Sequence, residues 1–192
     1  MIRNCRKISD IYFPTIPKGY LRMEEPIRVL NVLGTTNLGG AESRVMELYR
    51  ALDRDKVQFD FMVHTDQEGQ YSAEIRRLGG RIYHVPRFRV FNIMAYKKAW
   101  KVFFAEHGGY AAVHGHMTST AAMYLPIAKR AGVPLTIAHA RSAGVDRGIK
   151  GLVTRIIRRP LKYRADYCFT CSSEAADAVY GRRWVEKGRV WT

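Results

Sequence analysis

At 192 residues, 47% of them hydrophobic, the chain carries enough apolar material for one self-sufficient core and is not a disordered tail. Thirty-two Lys and Arg against 17 Asp and Glu give a net charge of +15, a balance that favours anionic partners. No run approaches the roughly 18 apolar residues of a membrane-spanning helix.

The opening stretch, residues 1–26, is basic but lacks the apolar core and cleavage site of a signal peptide. It reads as an N-terminal extension, with Met23 the better starting point. A strand is predicted at 27–33, where Ile27, Val29, Leu30, Val32 and Leu33 form the apolar run of a strand covered on both faces. A helix at 41–53 follows, with Val45, Leu48, Tyr49 and Leu52 on one side. Next come a strand at 58–64, a helix at 71–78 and a strand at 81–85. The helix at 92–106 shows its face through Ile93, Tyr96, Trp100, Phe103 and Phe104, and Gly108-Gly109 end it. Strands at 111–115, 134–139 and 166–171 then alternate with helices at 118–131, 148–159 and 173–180. Such alternation predicts an α/β fold: a doubly wound, Rossmann-like parallel sheet with helices on both faces.

The loop between the first strand and helix is the most informative segment. Gly34, Gly39 and Gly40 punctuate it, and a strand entering a helix this way aims free backbone N–H groups and a positive dipole end at one point. A phosphate is the natural occupant; without one, the same residues make a tight βα turn. Gly34 and Gly39 have P-loop spacing, but Gly40-Ala41 replace the required lysine and hydroxyl, which argues against ATP hydrolysis. The Gly-x-Gly-x-x-Gly triplet of dinucleotide enzymes is absent.

The turn Gly39–Glu42, Gly-Gly-Ala-Glu after a first strand, resembles the opening of the retaining, family-four type of GT-B glycosyltransferases. The likeness continues through Val57–Phe88, Tyr110–Gly144 and Tyr167–Gly181, covering roughly residues 27–190. It implies one half of a GT-B fold: an N-terminal, acceptor-side domain over 27–192, with the C-terminal donor domain absent. A complete relative transfers a sugar from a nucleoside-diphosphate sugar to a glycan or lipid-linked acceptor, retaining the anomeric configuration. It needs no cofactor beyond that substrate. The missing half would carry the basic residues that neutralise the leaving diphosphate, so the chain alone is expected to be inactive unless a C-terminal partner completes it.

In a parallel sheet all strand ends share one edge, and His64, His116 and His139 each fall at or just beyond a predicted strand end. By resemblance, His139 is the catalytic-pocket residue that faces the donor sugar. Gly39, Gly40 and Glu42 form the donor and acceptor loop, while His116, Arg141 and Ser142 are pocket walls. Satisfied, partly buried histidines are the plainer reading, and His84 and His107 look like surface or packing residues. His114-x-His116 offers two ligands on one strand face, but no carboxylate or cysteine stands at a spacing that completes a set, so no metal is expected. Cys168 and Cys171 lie on a predicted strand, pointing to opposite faces, and Cys5 supplies no second pair; buried, inert thiols are expected.

The charge concentrates in residues 146–167. Ile149, Leu152, Val153, Ile156 and Ile157 repeat at helical spacing among Arg147, Lys150, Arg155, Arg158, Arg159 and Lys162. Either this helix rests on an anionic membrane surface, or it covers the sheet and its outer face happens to be basic. No RNA-binding motif accompanies the charge, so nucleic acid is not an expected partner. The expected location is cytoplasmic, with peripheral attachment to the inner membrane face if the helix docks there. A non-catalytic membrane- or polysaccharide-binding module is the alternative function.

Overall fold

The computed structural model describes residues 25–142, 144 and 148–192. The basic extension, Met23 as a start, Cys5, and Asp146 and Arg147 of the charged segment therefore lie almost wholly outside the described residues. Six strands, β1 (Ile27–Val32), β2 (Val57–Val63), β3 (Ile82–His84), β4 (Ala112–Gly115), β5 (Leu135–Ala140) and β6 (Tyr167–Thr170), form one sheet in the order 3-2-1-4-5-6. Every pairing is parallel. The helices are α1 (Gly40–Ala51), α2 (Ser72–Arg77), α3 (Ile93–Glu106), α4 (Thr118–Arg130), α5 (Gly148–Arg158), α6 (Ser173–Tyr180) and α7 (Arg182–Glu186). The alternation read from the sequence is this Rossmann-like architecture.

Strand alternation sorts the core into two layers. Ile27 and Val29 of β1, with Leu33 just beyond it, point to one face and pack with Val45, Met46 and Tyr49 of α1 and Ile75 of α2. Leu30 and Val32 point to the other, against Tyr96, Trp100 and Phe103 of α3 and a run of α4 from Ala121 to Ala128. Val179 and Tyr180 of α6 join that second layer. The indole of Trp100 stacks on Tyr124 with centroids 4.5 Å apart, which locks α3 to α4. Between the two layers, β1 pairs with both β2 and β4. Chain direction on the sheet reverses there, which opens a crevice at the C-terminal ends of the strands.

The β1–α1 loop is held from the side by the loop after β2. Thr36 Oγ1 meets Ser72 Oγ at 2.6 Å, and the Gly69 N–H donates to Thr36 Oγ1 at 3.1 Å. Tyr71 N–H donates to the Thr36 carbonyl at 2.9 Å. Gly69 has no room for a side chain: a Cβ there would lie 2.6 Å from the Asn37 nitrogen, which is backbone and cannot swing away.

Three local expectations change. Helix α5 splits its apolar stripe: Ile157 packs against the core, whereas Leu152 and Ile156 are 59% and 63% exposed. Arg158, expected on its basic outer face, is instead buried and donates to the Ala178 carbonyl at 2.8 Å. The guanidinium keeps a partner there because its stem packs inward beside α6. Cys171 lies beyond the end of β6, exposed, with its thiol on the Arg141 carbonyl at 3.2 Å; Cys168 is the buried one, and burial pushes its thiol up to about 12.

Candidate functional site

The crevice edge is built from three strand ends and one helix start. Gly39 caps α1 without a side-chain hydrogen bond, and Glu42 sits in the first turn. The leading N–H groups of α1 thus point out of the helix toward the edge, as an anion site requires. Glu42 folds back over Gly39, into the space a Cβ at position 39 would occupy. Gly40 has open space around it. The same Glu42 carboxylate approaches Gly34, next to Met117 at the start of α4, so it lies where β1 and β4 part.

Opposite α1, β4 and β5 deliver imidazoles. Val113 on β4 and Ala138 and Ala140 on β5 face the α3–α4 layer, so His114, His116 and His139 all project to the α1 side. His114 Nε2 lies 3.1 Å from His139 Nδ1, and the His114 and His116 rings are 4.1 Å apart. The glycine between the two β4 histidines is forced: a Cβ at Gly115 would strike the buried Tyr124 hydroxyl. Arg141 donates from Nε to His116 Nδ1 at 3.2 Å. That leaves the proton of neutral His116 on Nε2, which donates to Asn31 Oδ1 at 3.3 Å.

All three imidazoles are held neutral. Burial pushes His114 and His116 well below the ordinary histidine range, and the Arg141 charge acts in the same direction. Burial and then Arg141 lower His139 to about 3. Such perturbed groups gathered at a cleft make this edge the candidate site. Asn31 adds a second sign. It is 1% exposed, and its Nδ2 finds no hydrogen-bond partner among the described residues.

The fold thus brings His116, His139 and Arg141 together and adds His114 and Asn31, which the sequence reading had left out of the pocket. Asn31 was visible as a carboxamide inside an otherwise apolar strand. Gly39, Gly40 and Glu42 share the same sheet edge, whereas Ser142 is exposed. His64 does not converge with the others. It turns to the other layer, where its ring bonds the Leu33 carbonyl at 3.0 Å and the Tyr96 hydroxyl at 2.9 Å. His84 is exposed, and His107 packs between Tyr83 and Phe103.

A family model described as "Glycosyl transferase 4-like domain" matches residues 39–191. The chain belongs to that family. The glycosyl transferase 4-like domain is 33% identical over 166 residues to the "Putative glycosyltransferase EpsF" of Bacillus subtilis (strain 168), covering 85% of this chain and 43% of that protein. Among solved structures it resembles MurG of Acinetobacter baumannii, with a TM-score of 0.52 at 15% identity, over 78% of this chain and 42% of the other. The second likeness concerns the fold. The domain spans about two fifths of either relative.

Proposed function

We propose that this domain is the acceptor-side half of a glycosyltransferase that moves a sugar from a nucleoside-diphosphate donor to a glycan or lipid-linked acceptor, with retention at the anomeric carbon. The supporting observation is the meeting, at one sheet edge, of an uncapped helix start and a buried cluster of neutral imidazoles. The N–H groups after Gly39 and Gly40 suit a diphosphate or an acceptor oxyanion. His139, the least buried of the three, suits a sugar hydroxyl, to which a neutral ring can donate or accept. His116 and Arg141 wall the pocket, and Glu42 beside the crevice can orient an acceptor hydroxyl.

A nucleotide leaving group must be neutralised in the transition state, and this half offers one pocket cation, Arg141, among the described residues. The domain therefore works with a second, donor-binding domain, on the same chain or on a partner. No cofactor is required beyond the nucleotide sugar. The test is co-expression with a C-terminal donor half and a panel of nucleoside-diphosphate sugars, with nucleotide release as the readout. Activity is expected for the pair, and His139→Ala should lower it about 100-fold while leaving the circular dichroism unchanged. Full activity in His139→Ala would refute the assigned role.

One further observation favours peripheral attachment to a cytoplasmic membrane face. No helix among the described residues is long and apolar enough to cross a membrane. Yet Leu152 and Ile156 of α5 stand exposed beside Arg155 and Arg159, and a cleft of about 370 Å³ joins Val153 and Thr154 to the segment carrying Val90 and Phe91. Apolar side chains ringed by arginines suit an anionic lipid surface and a lipid-linked acceptor. Sedimentation with anionic vesicles should be salt-sensitive and lost in the double variant Leu152→Ser, Ile156→Ser; equal binding to zwitterionic vesicles would refute the docking.

A further inference from the structure

We propose that Asn31 is a positioning residue: by accepting the His116 Nε2 proton it keeps the lone pair of that ring on Nδ1, and so seats Arg141 at the crevice edge. Asn31 on β1 and Arg141 just past β5 act on opposite nitrogens of one imidazole. Asn31 Oδ1 lies 3.3 Å from Nε2, while Arg141 Nε and Nη2 each lie 3.2 Å from Nδ1. A guanidinium can only donate, so Nδ1 must accept, and a neutral ring then carries its proton on Nε2. Burial keeps the ring neutral.

The proton on Nε2 needs an acceptor, so the Asn31 carboxamide turns its oxygen to the ring and its NH₂ group away. That nitrogen is the buried one without a partner among the described residues. A flipped carboxamide would pair Nδ2 with Nε2 but drive the ring proton to Nδ1, donor against donor beside the Arg141 charge. The orphaned N–H group is thus the mark of an orientation that Arg141 dictates from two links away. The frame holds these contacts in place. Asn31 lies in register with His114 on β4, and the His116 N–H donates to the Val32 carbonyl at 3.0 Å, which docks the ring beside Asn31. Arg141 is tied through its own carbonyl, which accepts from the Cys171 thiol at 3.2 Å. With both backbones anchored, the imidazole gives the guanidinium a fixed seat, where it can meet an anionic oxygen of donor or acceptor.

The first measurement is independent of turnover. In the wild-type chain, ¹⁵N NMR should show His116 protonated at Nε2, with two widely separated ring-nitrogen shifts. Asn31→Leu, and the smaller Asn31→Ala, should draw the two shifts together. Asn31→Asp, which keeps an acceptor oxygen, should keep Nε2 protonated. Unchanged shifts in the Leu and Ala variants overturn the proposal, as does a wild-type ring protonated at Nδ1. The second measurement rests on the glycosyl-transfer reading and uses the chain paired with a donor half. Asn31→Leu should lower kcat/KM roughly 3- to 10-fold and should add nothing once Arg141→Met is in place. Additive losses, or none at all, overturn the proposal. Absence of turnover in the wild-type pair, with the ring shifts as expected, refutes the glycosyl-transfer reading and leaves the positioning role standing.

Discussion

Two polar residues interrupt neighbouring apolar strands, Asp60 on β2 and Asn31 on β1, and the fold treats them oppositely. Asp60 is completely buried and fully satisfied. Arg28 grips it with two bonds, Tyr110 donates to Oδ2 at 2.9 Å, and the Arg81 N–H donates to Oδ1 at 2.7 Å. This carboxylate ties β1, β2, the start of β3 and the approach to β4 into one unit. Asn31 is as buried but holds one long bond to His116 and leaves an N–H group unmatched. A saturated buried polar group serves architecture, because every lone pair is occupied. An undersatisfied one at a cleft holds binding capacity in reserve, at a cost in stability.

The largest effect should come from breaking the saturated side. Asp60→Ala leaves Arg28, Tyr110 and the Arg81 amide without their acceptor and should cost about 3–5 kcal/mol, read as a lower urea midpoint. Asn31→Leu deletes a single weak bond and should change stability by no more than about 1 kcal/mol. Equal costs for the two would dissolve the contrast.

Acid should act on the imidazole side. His64, His114, His116 and His139 all have folded pKa values below the unfolded value near 6.5. The unfolded chain therefore takes up protons first, so these groups contribute full stability above about pH 6.5 and lose it as pH falls toward their folded values. Each can contribute at most about 1.4 kcal/mol per pH unit in that window. His139→Gln should flatten the slope of unfolding free energy between about pH 6.5 and the lowered value near 3. A profile that stays level from pH 7 to 4.5 in the wild type would show that the cluster is not held neutral.

The smallest effects separate the two loop glycines. Gly39 has φ −156°, extended backbone open to any residue, but its Cβ space is filled by the Glu42 carboxylate. Gly39→Ala should thus displace Glu42 and cost about 0.5–1 kcal/mol, whereas Glu42→Gln, which leaves the backbone alone, isolates the charge. Gly40→Ala meets nothing and should be neutral or stabilising by a few tenths of a kcal/mol. Thermal melts of the three variants order them.

The framework was legible from the sequence because parallel strands and their crossover helices obey strong periodicities. All six strands fall within two residues of where apolar runs and breakers place them, and the glycine turn sits at a strand end as its composition implies. Facing was harder to read. Leu152 and Ile156 have the spacing of a buried stripe, but whether a helix shows that stripe to the sheet or to solvent depends on tertiary docking that no local pattern encodes. His64 illustrates the same limit: it follows the end of β2 as His139 nears the end of β5, yet its parity sends it to the Tyr96 side. His114 was left out of the pocket for a related reason. His114 and His116 are neighbours in sequence, whereas His139 joins them through the β4–β5 register, a long-range pairing.

Gly69 lies far from the imidazoles in sequence, yet it decides where the loop before α1 runs, because Thr36 backbone occupies the volume of its missing side chain. Any replacement would lever that loop outward and tilt the helix start away from the crevice. Evolution should therefore be as intolerant at this position as at a chemically active one: aligned relatives that keep the Thr36 clip are expected to keep glycine there, while drift concentrates on the solvent side of α1.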